Sequence, residues 1–312
     1  MCARIHREGM LTNQQKEFVS KLGKVSKSQS LHQTFSDWLE IAALSLHQLP
    51  YQSGELEKDA AYEALEAQYM ERIKPYDKAE LTSFSELLAI TISVHHNSYS
   101  DFLGEIAGEA ELLNKRGGQF FTPYPICCLM TKMSFGNVRA QVKEKGILTV
   151  GEPAVGSGAL VIASAEEVAS QEIDPRVHLQ FDCTDVSRDA FNMAYIQLSA
   201  LGLQAIVHHG DTLSGEYWES RPTPQLRLFH QWLEQQQCSE RRVQAIRALM
   251  MTGGCLPEQF TEEEPVRSPA EEEPLLGSPL SETLFDLKQF SGSAPTTKRS
   301  RPQPDVVLDR QM

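Results

Sequence analysis

The chain has 312 residues, room for one large domain or two modest ones, and its 41% apolar and 23% charged residues are the balance of a soluble protein with a buried core. The longest apolar run, LLAITISV at 87–94, is too short to span a bilayer, and the opening MCARIHREGM lacks the apolar centre of a signal peptide. A net charge of −13 excludes a generally basic, phosphate-gripping surface, because nonspecific DNA affinity rests on Lys and Arg.

The first third reads as helical. Leu31, Phe35, Trp38, Leu39, Ala42, Leu46 and Leu49 repeat at helical spacing and Pro50 ends the run. A second helix covers 55–74, with Tyr62, Leu65, Tyr69 and Ile73 on one face. A third starts at Ser83, whose spacing to Glu86 is that of a capping box, and a fourth lies at 101–113. The aromatic stripes are core packing, so residues 1–113 form a helical domain.

From 146 the pattern changes. GILTV (146–150), VHLQFDCTDV (177–186) and AIVHHGD (205–211) are strand-like, separated by helices at 158–170 and 187–202. Strands alternating with helices imply an α/β fold with a parallel sheet, and no further strand run follows. A helix or two covers 224–250, where Arg241, Arg242 and Arg247 make a solvated face, and 114–255 is taken as the α/β domain. The segment 256–312 is acidic and Pro-rich, with eleven acids against six bases from Pro257 onward, and is expected to be disordered.

Ligands of such sheets bind at the carboxyl ends of the strands. There stand Glu152, Pro153, Gly156, Ser157 and Gly158 after the first strand, Asp185 after the second and Asp211 after the third. Glycines at 156 and 158 let the backbone approach a ligand, and the helix that follows presents free N–H groups. A dinucleotide site would have glycine at 161, where Val161 stands; Asp185 suits the ribose of a dinucleotide and of S-adenosylmethionine equally. Upstream, LLNKRGGQFFTPYPICCLMTKM (112–133) adds a second helix start, with Thr122 as cap and Pro123 as first helical residue, suited to the carboxylate of a methionine moiety. Phe120 and Phe121 can flank an adenine or the amino-acid arm.

Together these stretches resemble the N-6 adenine DNA methyltransferases of the type I restriction–modification class, over roughly residues 30–215. The family's GxFxTP is matched by Gly118, Phe120, Thr122 and Pro123; its DPACGSG by Glu152, Pro153, Ala154, Gly156, Ser157 and Gly158, with Glu for Asp and Val155 for Cys. The resemblance implies a Rossmann-like S-adenosylmethionine-dependent methyltransferase sheet behind an amino-terminal helical domain. It also implies that Asp211 holds the adenine amine of the cofactor and that double-stranded DNA is engaged through a specificity or partner subunit. The family's catalytic (Asn/Asp/Ser)-Pro-Pro-(Tyr/Phe/Trp) is absent, since no Pro-Pro pair occurs in the chain. The nearest replacements are Tyr217, Trp218, Thr223 and Pro224, where an aromatic ring and a Thr-Pro would mimic part of a site that stacks on a flipped-out adenine. A full sheet of the family has seven strands, so three make this one truncated.

Two functions follow: transfer of a methyl group to adenine N6 in DNA, or a catalytically inactive S-adenosylmethionine-binding regulator of a DNA methylase. Six cysteines without CxxC spacing point to a reduced, cytoplasmic protein. The adjacent pairs His95–His96 and His208–His209 lack further ligands at metal spacing, and neither metal nor membrane is expected.

Overall fold

A computed structural model of the protein describes residues 11–25, 30–110, 112, 121–233, 241 and 244. Phe120, Gly118, the arginines at 242 and 247, and the acidic segment 256–312 lie outside the described residues.

The amino-terminal helices are α1 (Asn13–Val25), α2 (Leu31–Gln52), α3 (Ala60–Ile73), α4 (Lys78–Asn97) and α5 (Phe102–Glu109). Of the periodic positions of α2, Phe35, Trp38, Leu39, Ala42 and Leu46 are buried as expected, whereas Leu31 is half-buried and Leu49 exposed; the Trp38 indole N–H donates to the Phe84 carbonyl at 3.1 Å and its ring meets Phe18 edge-on. The expected stop at Pro50 comes two residues later. Proline forfeits only its own N–H, and its carbonyl still accepts from the N–H groups of Glu55 and Leu56 at 3.0 and 2.9 Å.

The start of the next helix is a second correction. It begins at Lys78 rather than Ser83, because Asp77 accepts from the Glu80 N–H at 2.9 Å and Glu80 accepts from the Asp77 N–H at 2.8 Å. That capping box leaves Ser83 inside the helix, its hydroxyl bonded to the Ala79 carbonyl at 3.1 Å. Asp77→Ala is expected to cost about 1 kcal/mol of stability, seen as a lower urea midpoint at unchanged slope.

The α/β part follows as α6 (Tyr124–Ser134), α7 (Val138–Lys145), β1 (Leu148–Glu152), α8 (Ala159–Ser170), α9 (Pro175–His178), β2 (Leu179–Asp185), α10 (Arg188–Ala200), β3 (Gln204–Asp211) and β4 (Glu216–Pro222). The sheet order is β1-β2-β3-β4, the first three strands parallel as expected. The fourth strand was not expected. It runs antiparallel to β3 with a register shift at His209/Gly210, and residues 224–233 are helical beyond it. A Cβ on Gly210 would meet the Tyr217 Cα at 2.9 Å, so the irregular pairing depends on glycine there.

The two parts share one core. A single buried cluster runs from Phe18, Trp38 and Leu87 through Leu103 and Ile106 to Phe181, Phe191 and Val207. Its centre is α10, in which every residue from Ala190 to Leu198 is buried between the sheet and α2, α4 and α5. The sheet face toward α10 is apolar: Leu179, Phe181, Cys183, Ala205 and Val207. The alternate positions, Ile206 apart, are polar, and several are bonded across strands. Gln180 Nε2 donates to Gln204 Oε1 at 2.8 Å, and His208 lies 3.3 Å from Asp182 and 2.6 Å from the Ser220 hydroxyl. A parallel sheet covered by helices on both sides reads apolar on both.

A buried ionic cluster ties the helical part to the far edge of the sheet. Glu40 of α2 accepts from Arg188 at 2.6 and 2.9 Å, from Asn192 at 2.8 Å and from Arg221 of β4 at 3.2 Å. Among the described residues no helix is long and apolar enough to cross a membrane.

Candidate cofactor site

Each parallel strand ends in a carboxylate: β1 in Glu152, β2 in Asp185, β3 in Asp211. The loops beyond them converge. The Gly156 N–H donates to Asp185 Oδ2 at 2.8 Å, joining the first loop to the second. The Thr212 hydroxyl donates to the Pro153 carbonyl at 2.6 Å, joining the first to the third. The other Asp185 oxygen accepts from the Ser187 N–H at 2.8 Å, and Asp211 accepts from the Leu213 N–H at 2.9 Å.

The turn entering α8 has Gly156 at φ 56° and Gly158 at φ 100°, left-handed conformations that account for glycine at both places. A Cβ on Gly156 would also press on the Phe121 ring at 3.1 Å, so this ring is packed against the turn. Ser157, between the glycines, is buried at 1% exposure with its hydroxyl turned inward to Asp101 at 2.7 Å. Of the expected cofactor residues, Glu152, Pro153, Gly156, Ser157, Gly158, Asp185 and Asp211 thus lie on three meeting loops.

The α6 start differs from expectation. Pro123 itself is the cap residue, with no side-chain cap bond, and Thr122 stands exposed before it. Pro123 and Pro125 both lack an N–H, so the first turn has fewer donors for an anion than the Thr-Pro pattern suggests.

The four proposed replacements for the catalytic tetrapeptide are separated by β4. The Thr223 side chain is fully buried; its hydroxyl donates to the Leu203 carbonyl at 2.7 Å and accepts from the Ala205 N–H at 3.1 Å, closing β3 onto β4. Pro224 opens the helical stretch 224–233. Tyr217 stacks on His208 at 4.3 Å, and Trp218 meets His209 edge-on at 4.9 Å, both rings partly in solvent. Thr223 serves the fold; the two aromatics are the surface-accessible members of the set. Among the described residues no group of three His, Cys, Asp or Glu side chains is placed to hold a metal.

The pattern missed one set of residues behind the turn. Asp101, Gln197 and His95 form a buried polar group that reaches Ser157. Burial holds His95 down at about 4, outweighing its bond to Gln197, so the ring is neutral at physiological pH. Burial pushes the Cys127 thiol up to about 11, with the charges of Asp101 and Glu152 adding to it, which leaves it unreactive. The clue in the sequence was Asp101 at the head of a helix, which accounts only for its cap bond to the Gly104 N–H at 3.1 Å.

A glycine turn and three strand-tip carboxylates on a mostly parallel sheet define the class: an α/β protein whose strand-end loops meet at one end of the sheet. Residues 97–230 match the family model described as N-6 DNA Methylase. The match begins in α4 and ends in the helical stretch after β4. No curated protein and no solved structure matches the chain.

Proposed function

We propose that the protein binds S-adenosylmethionine at the strand-tip cleft and takes part in methyl transfer to adenine N6 in DNA. The observation that carries this is the meeting of the three strand-end loops inside the matched segment, with Asp185 bonded to the Gly156 N–H and Thr212, next to Asp211, bonded to Pro153, next to Glu152.

The same observation favours S-adenosylmethionine over a dinucleotide, which the glycine turn and Asp185 alone leave level. A dinucleotide would set its pyrophosphate on the turn amides, but the Gly156 N–H is already bonded to the Asp185 carboxylate, and each of the three parallel strands ends in an acid at this side of the sheet. A pyrophosphate is repelled by such carboxylates, whereas a cofactor with a sulfonium cation is attracted. Carboxylate oxygens have lone pairs beyond the bonds they already accept, so Asp185 and Asp211 retain capacity for ribose hydroxyls and an adenine amine. The cofactor supplies an electrophilic methyl group; the chain's part is to orient the nucleoside and keep the charged centre beside acids. The net charge of −13 favours DNA contact through a partner subunit that supplies the basic surface.

A second reading, cofactor binding without turnover, is favoured by β4. In place of a Pro-Pro loop the chain has a paired strand, and Thr223 is committed to it. Two measurements test both readings. Calorimetry with S-adenosylmethionine and its demethylated product is expected to show binding; absence of heat with either compound overturns the proposal. Labelled methyl transfer to adenine-containing DNA, with candidate partner subunits present, distinguishes the two: no labelled N6-methyladenine leaves the binding reading alone.

A further inference from the structure

The glycine turn is gripped from behind by the helical part of the chain. Asp101, 3% exposed, caps α5 and accepts the Ser157 hydroxyl on Oδ2 at 2.7 Å. Its Oδ1 accepts from Gln197 Nε2 at 2.9 Å, and the same Nε2 donates to the Ser157 carbonyl at 2.7 Å. Gln197 Oε1 in turn accepts from the Leu103 N–H at 3.0 Å. The side-chain and main-chain oxygens of Ser157 are therefore both pinned, one by α5 and one by α10. Ser157 lies between the two residues of the turn with the widest backbone freedom, Gly156 and Gly158, so these pins decide whether the turn holds one shape. Gly104 belongs to the same device: a Cβ there would run into the Asp101 carboxylate and the Ser157 hydroxyl.

We propose that Asp101 is a positioning residue for the cofactor turn, through which the helical segment around α5 sets cofactor affinity. The proposal rests on the turn being the cofactor site. Asp101 acts as an acceptor rather than as a charge. Asn at this position keeps the Oδ1 bonds to Gly104 and Gln197 and offers an N–H to the Ser157 oxygen; Ala offers nothing.

The test uses the full chain with Asp101→Ala, Asp101→Asn and Gly104→Ala. Calorimetry with S-adenosylmethionine reads affinity, and hydrogen exchange reads the peptide covering 153–159, with β2 as internal reference. Exchange is informative because the amides of Val155, Gly156 and Gly158 are bonded to Thr184, Asp185 and Val155 at 2.8–2.9 Å. The expected result is a loss of at least tenfold in affinity for Asp101→Ala and Gly104→Ala, with faster exchange confined to the turn, and Asp101→Asn within threefold of the unsubstituted chain. The proposal is overturned if Asp101→Ala keeps affinity and protection, if Asp101→Asn is as damaging as Ala, or if β2 loosens as much as the turn. Should the unsubstituted chain bind no cofactor while Asp101→Ala still loosens the turn alone, the positioning role stands and the cofactor assignment falls.

Discussion

Arg221→Ala is expected to lower the unfolding free energy by about 3–5 kcal/mol, the usual cost of removing one partner from a buried ionic group. Arg221 is 1% exposed and bridges Asn192 at 3.1 Å, Glu40 at 3.2 Å and Glu219 at 2.5 Å, with its guanidinium over the Phe191 ring. Alanine strands the buried Glu40 with less compensation and opens a space between α2, α10 and β4. A Met substitution, which refills the volume but not the charge, is expected to recover only part of the loss, since the acids stay behind. Acid titration gives an independent readout. Burial alone would raise the Glu40 carboxyl, but the hydrogen bond from Arg188, the charges of Arg221 and Arg188 and the bond from Asn192 hold it down at about 2, against 4.5 when free. A lowered folded value means the stabilisation is complete above about 4.5 and disappears as pH falls toward 2. The stability of the unsubstituted chain should therefore fall across that window, and Arg221→Ala should flatten the fall. Equal slopes in both proteins would show that Glu40 is not held by Arg221.

Asp185→Ala is expected to weaken S-adenosylmethionine binding by a hundredfold or more. The side chain accepts from Gly156 and Ser187 N–H groups at 2.8 Å each, so its loss frees the turn as well as removing the proposed ribose acceptor. Hydrogen bonds to a charged acceptor contribute about 1.5–3 kcal/mol each, and a hundredfold change needs only about 2.7 kcal/mol. Asp185→Asn leaves one good acceptor and turns an N–H toward the other amide, so a loss nearer tenfold is expected. Calorimetry on both variants, with the fold followed by circular dichroism, checks this. Wild-type affinity in the Ala variant would move the site away from the end of β2.

The parts of the fold legible in the sequence are those with a strong period or a strong turn. The three parallel strands are runs with β-branched and aromatic residues between helices, and acids and glycines stand at or just past their ends. β4 was illegible because EYWESRP is an edge strand: it is mostly exposed, carries three charged residues and ends in proline, the features that also describe a loop. The start of α4 was misplaced because two capping patterns compete within ten residues, and only the Asp77–Glu80 pair has a free helix end to satisfy. The site shows the same division. Residues local to a strand tip could be named; the partners of Ser157 could not, since Asp101 lies 56 positions away and Gln197 lies 40. Cross-chain polar bonds leave no periodic trace. Thr223 was misjudged for the converse reason: a Thr-Pro pair has the composition of a site, and only the Leu203 and Ala205 bonds reveal that it is a clasp.

The hydrogen-bonded row on the sheet face away from α10 bears on engineering. Grafting further strands and their covering helices onto this chain would set apolar side chains against Gln180, Asp182, Gln204 and His208, leaving a carboxylate and the already partnerless Gln180 Oε1 facing hydrocarbon. Such a chimera would have to recode that row as Val, Ile or Leu before a second layer could settle on it.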